Sequence, residues 1–374
     1  MGLVRRSLIV LCAVVVLGAL AIDVAHRQDR IGVDFHTYLA AANVGLQQGW
    51  AHIYDQNIVA QAQKRLVPHQ WAQPYLSPPT VAWLVAPLAW LPFAVAYDVW
   101  AVLTFLAFAA SLAWSGVGRG LGRWIAVAGA LSAWWVMHAV NVGQVAPLIA
   151  AATVVAWRLL RDRHDVAAGL VLSLILLKPN TALLVPIALL VAGRQRAFAA
   201  WLAAAAGVGL AVLLLLGPHG VSAYASQLLG PLPRGADSLT LHGAFGVAGP
   251  AAAALRIMII AAVLISAYRF RGEDQLVIPL AIVGALLIAP YLHASDLCVL
   301  CAAAWMVWEA REAVAWRVPM VALWLLASPY LFLGVVGPML HTWPLFEIGM
   351  FAAIAVSAWR PFTAWADLRT RAPA

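Results

Sequence analysis

Long apolar runs, broken by short clusters of Arg, Gly and Pro, dominate the chain from its first residues to its last. They lie near residues 7–22, 93–116, 123–140, 144–160, 165–178, 180–193, 197–216, 251–268, 275–290, 296–310, 317–333 and 345–360. A crossing needs ~20 apolar residues, fewer where a helix is broken or shielded, so the pattern predicts about twelve membrane helices. The runs at 165–178 and 180–193 are short and meet at Lys178-Pro179-Asn180, which reads as a broken helical hairpin with its tip in a cavity. Residues 79–92 are apolar but carry Pro79, Pro87 and Pro92, and are expected to be interfacial or half-inserted. Ser7–Ile22 follows Arg5 and Arg6, and the downstream stretch lacks a small-x-small cleavage site, so it is expected to be the first span. Two segments stay outside the bundle: 23–79, with amphipathic patterns near 35–48 and 57–66 that suggest short helices along the membrane surface, and the Gly- and Pro-rich 217–250.

Composition removes the soluble alternative, since 64% of the 374 residues are hydrophobic and 10% charged, against about 25% charged in soluble domains. The expected fold class is an all-α polytopic membrane protein forming one integral domain over 1–374. The net charge of +8 does not point to nucleic acid, because the basic residues are scattered in twos and threes. They behave as topology determinants. With the N-terminus cytoplasmic, most of the 23 basic residues fall inside, among them Arg119, Arg123, Arg158, Arg161, Arg163, Arg194, Arg196, Arg269, Arg271 and Arg311. Cys12, Cys298 and Cys301 all lie in apolar runs and cannot build a disulfide framework or a four-cysteine zinc site. No dinucleotide fingerprint, Walker A sequence or internal repeat is present, and the histidines show no metal-ligand spacing, so neither cofactor nor metal is expected.

Ionisable groups at membrane depth are costly and normally face a cavity. Lys178 closes a run that reaches about 18 Å into a ~30 Å core, and Arg256 lies one or two turns into the span from Ala251. Two cations on one side suit a phosphate; snorkelling to the interface is the alternative. Asp34, in Gly32-Val33-Asp34-Phe35-His36-Thr37-Tyr38, is either a functional acid or a helix N-cap. Asp296, after Tyr291 and His293 at the tip between two spans, has the same two readings. Asn141-Val142-Gly143-Gln144 forms another outward tip, whose amides either bind hydroxyl-rich ligands or satisfy helix ends.

Taken in order, an aspartate after the first span in a D-F-x-x-Y context, Gly49 with Tyr54-Asp55, Tyr75-Leu76-Ser77-Pro78-Pro79, Val142-Gly143-Gln144, Leu177-Lys178-Pro179 and Pro290-Tyr291-Leu292-His293 resemble glycosyltransferase family 87. The resemblance runs from about residue 30 to residue 310. That family contains polyprenol-phosphate-mannose-dependent α-1,2-mannosyltransferases. The resemblance implies a GT-C-type bundle with a long first outer loop carrying membrane-parallel helices. It implies a hexosyltransferase of the inner (plasma) membrane with an extracytoplasmic site, moving a hexose, foremost mannose, from a polyprenyl-phosphate donor to a glycolipid or glycan acceptor. Carried onto this chain, Asp34 is the general base, Lys178 is the lysine of the K-P element and His293 the histidine near the donor phosphate; Arg256, from its depth in the membrane, is expected to receive that phosphate with them. Tyr38, Tyr75, Asn141, Gln144, Asn180, Tyr291 and Asp296 line the substrate site, with Trp50 and Trp71 available to stack on a pyranose face. With no second carboxylate clearly paired with Asp34, single-displacement inversion is expected. The rival class is a transporter or flippase of lipid-linked sugars.

Overall fold

The computed structural model describes residues 14, 31–116, 120–230, 239–271, 274–311, 320 and 343–359. The expected spans at 7–22 and 317–333, Cys12, and residues 23–30 of the first outer segment lie outside them, as do residues 231–238 of the second. Among the described residues every regular element is helical.

Three helices are long and apolar enough to cross a membrane: α4 (Phe93–Ser115), α10 (Gln195–Leu229) and α12 (Gly249–Arg269). At ~1.5 Å per residue each covers the ~30 Å hydrocarbon thickness. Their outward faces carry Val102, Leu103 and Leu106, Leu210, Leu213 and Leu214, and Ile257, Met258 and Ile265, all exposed, which in water would be an aggregating surface and in lipid is a solvated one. Among the described residues, the remaining apolar runs form shorter helices than expected. The run at 123–140 divides into α5 (Leu121–Leu131) and α6 (Trp134–Asn141), and 144–160 is α7 (Ala146–Arg161). The hairpin at 165–193 is broken, as its sequence implied. It consists of α8 (Asp165–Leu172), a 3-10 turn over Ser173–Leu177, an extended Lys178, a second 3-10 turn over Pro179–Thr181, and α9 (Leu184–Val191). α13 (Val277–Ile288) and α14 (Leu297–Ala310) follow, with α15 (Pro344–Ser357) last. α13 is apolar and buried along almost its whole length, so it is a core helix packed by α9, α12, α14 and α15.

The two segments expected to stay outside the bundle depart from that reading in two ways. The first carries α1 (Val33–Gln48), a 3-10 turn at Trp50–His52 and α2 (Gln56–Leu66). α1 does not present one apolar face to a membrane surface: its residues from Phe35 to Ala42 are all buried, against α2, α3 (Pro79–Val85) and the two neighbouring 3-10 turns, Trp50–His52 and Ala86–Trp90. Its small alanines let the surrounding elements close around it. In the second segment, the described residues of 217–250 are largely helical. α10 continues to Leu229 across a sharp bend where Gly217 adopts φ 60°, ψ −177° before Pro218, and α11 (Leu241–Phe245) precedes α12. A proline inside a helix removes one backbone donor, so the bend has an ordinary cause.

The arginine-rich helix ends gather at one end of the bundle. Arg194 at the start of α10 pairs with Asp165 at 3.0 Å, Arg158 lies over Trp114 at the end of α4, and Arg271 donates to the Val191 carbonyl at 2.8 Å. α7 runs from that end, at Arg158 and Arg161, to the opposite one, at Val145 and Ala146.

Candidate active site

The tip between α6 and α7 organises the opposite end. α6 stops because Gly143 takes φ 76°, and the helix closes with Gln144 N–H donating to the Ala139 carbonyl at 2.8 Å. Pro147 then sits in the first turn of α7, where a missing N–H costs nothing. The tip in turn caps α1, which has no side-chain cap of its own. The backbone N–H groups of Asp34 and Phe35 donate to the Val142 carbonyl at 2.9 and 3.3 Å, and Gly32 N–H donates to Asn141 at 2.8 Å. Phe35, fully buried, stacks on Trp100 at 5.7 Å, and the Trp100 indole N–H donates to the Gly143 carbonyl at 2.9 Å. Asp34 is therefore not a helix N-cap. It is the second residue of α1, held over the tip by backbone bonds.

This arrangement delivers Asp34 to Gln144. The Gln144 amide donates to Asp34 Oδ2 at 2.8 Å, while its carbonyl oxygen accepts from the Tyr38 hydroxyl at 2.8 Å and from Lys178 Nζ at 3.4 Å. One buried amide thus joins an acid, a phenol and an ammonium contributed by α1 and the broken hairpin. Lys178 also pairs with Asp296, which has no exposed surface. Asp296 stands at the N-cap position of α14 but makes no side-chain cap bond to that helix; its carboxylate accepts instead from the His293 N–H at 3.0 Å, closing the preceding 3-10 turn Ala294–Asp296. The other tips close around this pair. The Asn180 amide donates to the Tyr291 carbonyl at 3.4 Å, and the Tyr291 and His293 rings lie 6.2 Å apart.

Burial pushes the Asp34 carboxyl above its usual range, against the pull of Lys178, His293 and the Gln144 hydrogen bond. Asp34 nevertheless keeps some accessible surface, so it faces a crevice and not a sealed core. His293 is exposed at the mouth, yet the protein around it and the Lys178 ammonium hold its imidazole below the ordinary value. Tyr38 and Tyr75 are pushed well above the usual tyrosine range, first by burial, so both hydroxyls are neutral donors.

The crevice unites Asp34, Tyr38, Gln144, Lys178, Asp296 and His293, with Asn141, Asn180 and Tyr291 on its framework. Asn141 serves through its carbonyl, which also accepts from the Tyr97 hydroxyl at 2.8 Å. Tyr75 supports the wall, its hydroxyl donating to the Pro78 carbonyl at 2.8 Å. Arg256 is exposed on α12 and lines a cavity with Thr240, Leu241, Leu287 and Ala289, whose lining includes none of the crevice side chains. Sequence offset gives a residue's depth along a helix but not the direction it faces. Of the two tryptophans, Trp71 is exposed and Trp50 packs edge-on against Trp83. Tyr54 and Tyr224 were not anticipated as a pair: their rings stack at 4.6 Å, Tyr54 packs on Tyr75, and Tyr54 donates to the Ser77 carbonyl at 2.7 Å. The Tyr54-Asp55 motif was the only hint, and nothing near Tyr224 marks it.

Gly143 tests the construction. A Cβ there would lie 2.5 Å from Phe35 Cβ at a φ that L side chains avoid. Gly143→Ala should cost ~1–2 kcal/mol for the left-handed conformation alone, and push α1 off the tip. A displacement of the order of 1 Å is expected to lower turnover by roughly 100-fold. Gly129→Ala, in α5 with open space around its Cβ, should be neutral or slightly stabilising. Thermal melts and product formation on both variants check this.

Comparison with known proteins gives one match. The model of glycosyltransferase family 87 fits residues 75–329, about two-thirds of the chain. No curated protein and no solved structure matches it. The matched region contains Gln144, Lys178, His293 and Asp296 but begins after Asp34, which joins that region through the Gln144 hydrogen bond.

Proposed function

Since the chain belongs to glycosyltransferase family 87, and so is a membrane glycosyltransferase, we propose that it moves a hexose, foremost mannose, from a polyprenyl-phosphate donor to an acceptor hydroxyl. The site would face the outer side of the inner membrane. The observation that carries this reading is the Gln144 bridge between a carboxylate and an ammonium at the mouth of a helical bundle. Its arginine-rich ends lie at the other end, which the positive-inside rule assigns to the cytoplasm.

The chemistry follows from the charges. Gln144 fixes Asp34 Oδ2 and leaves Oδ1 to accept a proton from the acceptor hydroxyl within about 2.6–3.2 Å. A carboxyl already destabilised as an anion is a stronger base than a solvated one. The hydroxyl oxygen attacks the anomeric carbon, the bond to the phosphate oxygen breaks, and the departing phosphate takes the electron pair. Lys178 and His293 border that leaving group, and fixed charge there lowers the barrier without reorganisation. Asp296 keeps Lys178 oriented and ionised. The other carboxylate of the crevice, Asp296, is buried and paired with Lys178, which favours one displacement with inversion over a covalent intermediate.

Reconstituted protein given a polyprenyl-phosphate sugar labelled in the sugar should form a labelled glycoside and release polyprenyl phosphate. Labelled donor that only changes leaflet, with no glycoside formed on any hydroxyl acceptor, would replace the transferase reading with that of a flippase. Donors bearing mannose, glucose and arabinose, compared side by side, identify the sugar.

A further inference from the structure

His52, Asp55 and His219 meet where the first outer segment touches the bend of α10. Asp55 Oδ2 lies 2.7 Å from His52 Nδ1, and Asp55 Oδ1 lies 3.3 Å from His219 Nε2. One donor atom from each of the three falls within 4.8 Å of the other two. The meeting is built into the backbone. Gly220, next to His219, would place a Cβ 2.9 Å from the Ala51 carbonyl oxygen, so any side chain there drives α10 away from the turn that carries His52. None of the three belongs to the crevice.

We propose that His52, Asp55 and His219 bind a divalent transition metal ion, with Zn²⁺ the best fit. Two imidazoles and one carboxylate suit such an ion, whereas Ca²⁺ takes six to eight oxygens and Mg²⁺ keeps several waters. Tetrahedral Zn²⁺ with bonds of about 2.0–2.1 Å needs donors about 3.3 Å apart. Through Asp55 Oδ2 alone the separations are 2.7 Å to His52 Nδ1 and 3.5 Å to His219 Nε2, close to that value, and the two histidine donors, within 4.8 Å of each other, must close by at most about 1.5 Å. The two histidine side chains are 42% and 61% exposed, so an ion reaches them from solvent and keeps a position for water. Tyr54 lies between the two loop ligands and stacks on Tyr224 of α10, so a bound ion would pin the loop to α10 alongside the crevice wall.

The test uses the full-length protein in detergent, stripped with a chelator and titrated with Co²⁺. Expected are saturable uptake of one ion, visible absorption of a low-symmetry Co²⁺ site, and its displacement by Zn²⁺. His219→Ala and His52→Ala should weaken uptake roughly tenfold or more, the least that even an outer-shell loss costs. His219→Cys should retain the ion and add a sulfur-to-cobalt charge-transfer band, which also shows that the variant is folded. Asp34→Asn should titrate as wild type, so that binding is judged separately from transfer. Absence of saturable uptake, or a spectrum indifferent to His219→Cys, overturns the proposal and leaves a hydrogen-bonded cluster.

Discussion

Asp34→Asn is expected to lower sugar transfer by roughly 10²–10⁴-fold, the usual contribution of a positioned general base, while the purified protein melts at or above the wild-type temperature. Both halves of the result have one cause. Asp34 sits among buried groups that raise its carboxyl above the ordinary range. A group whose folded value is raised stabilises the fold below its unfolded value of about 3.9, and that contribution is lost as pH rises through the folded value. At neutral pH the wild type therefore carries the cost of an ionised acid that the amide does not incur. The same shift sets the pH profile of turnover, which should fall on acidification at a pH above that of an ordinary aspartate. A variant that is inactive and also unfolded would remove the argument, because the loss would then be structural; so would undiminished turnover. Lipid-linked donor and acceptor in one proteoliposome preparation, with melting followed by tryptophan fluorescence, give both readings.

How far the sequence led is clear at particular residues. The tips at Asn141–Gln144, Lys178–Asn180 and Tyr291–Asp296 were legible because each is a polar break between apolar runs, and the bilayer tolerates such breaks only around a cavity. They do converge. The broken hairpin was legible too, from the length of its two arms and Pro179. What could not be read was direction. Arg256 has the depth expected of a phosphate ligand but lines a cavity whose lining includes no crevice side chain, and α1 has the pattern of a surface helix yet is buried by the elements that follow it, α2, α3 and two 3-10 turns. Gln144 was anticipated as a substrate contact, but its role in joining Asp34 to Lys178 depends on three segments meeting at one amide. The bend at Gly217-Pro218 looked like loop composition and is a turn within a continuing helix. The cluster of His52, Asp55 and His219 escaped the expectation of no metal because that expectation rested on spacing within one segment, and the third residue lies 164 positions from Asp55.

Lys178 and Asp296 separate charge needed for folding from charge needed for chemistry. Asp296 has no exposed surface and Lys178 almost none, so removing either partner strands the other in a medium that solvates it poorly. Lys178→Ala, or Asp296→Leu, should cost ~3–5 kcal/mol, as breaking a buried pair does, with transfer lost alongside. Each single variant alone is ambiguous, since an unstable protein is also an inactive one. Replacing both resolves it. Lys178→Met combined with Asp296→Leu removes both desolvation penalties, fills similar volume and should return stability to the wild-type range or above it. Gln144 still has Asp34 and Tyr38 to bond in that double variant, so the acid half of the site keeps its geometry. Transfer from a polyprenyl-phosphate sugar should nevertheless stay at least ~100-fold down, as losing one preorganised donor to developing charge typically costs 10²–10³-fold. If the double variant is stable and turns over near the wild-type rate, Lys178 is a structural ion-pair partner with no part in stabilising the departing phosphate, and the phosphate must be received by groups other than the ammonium beside Asp34.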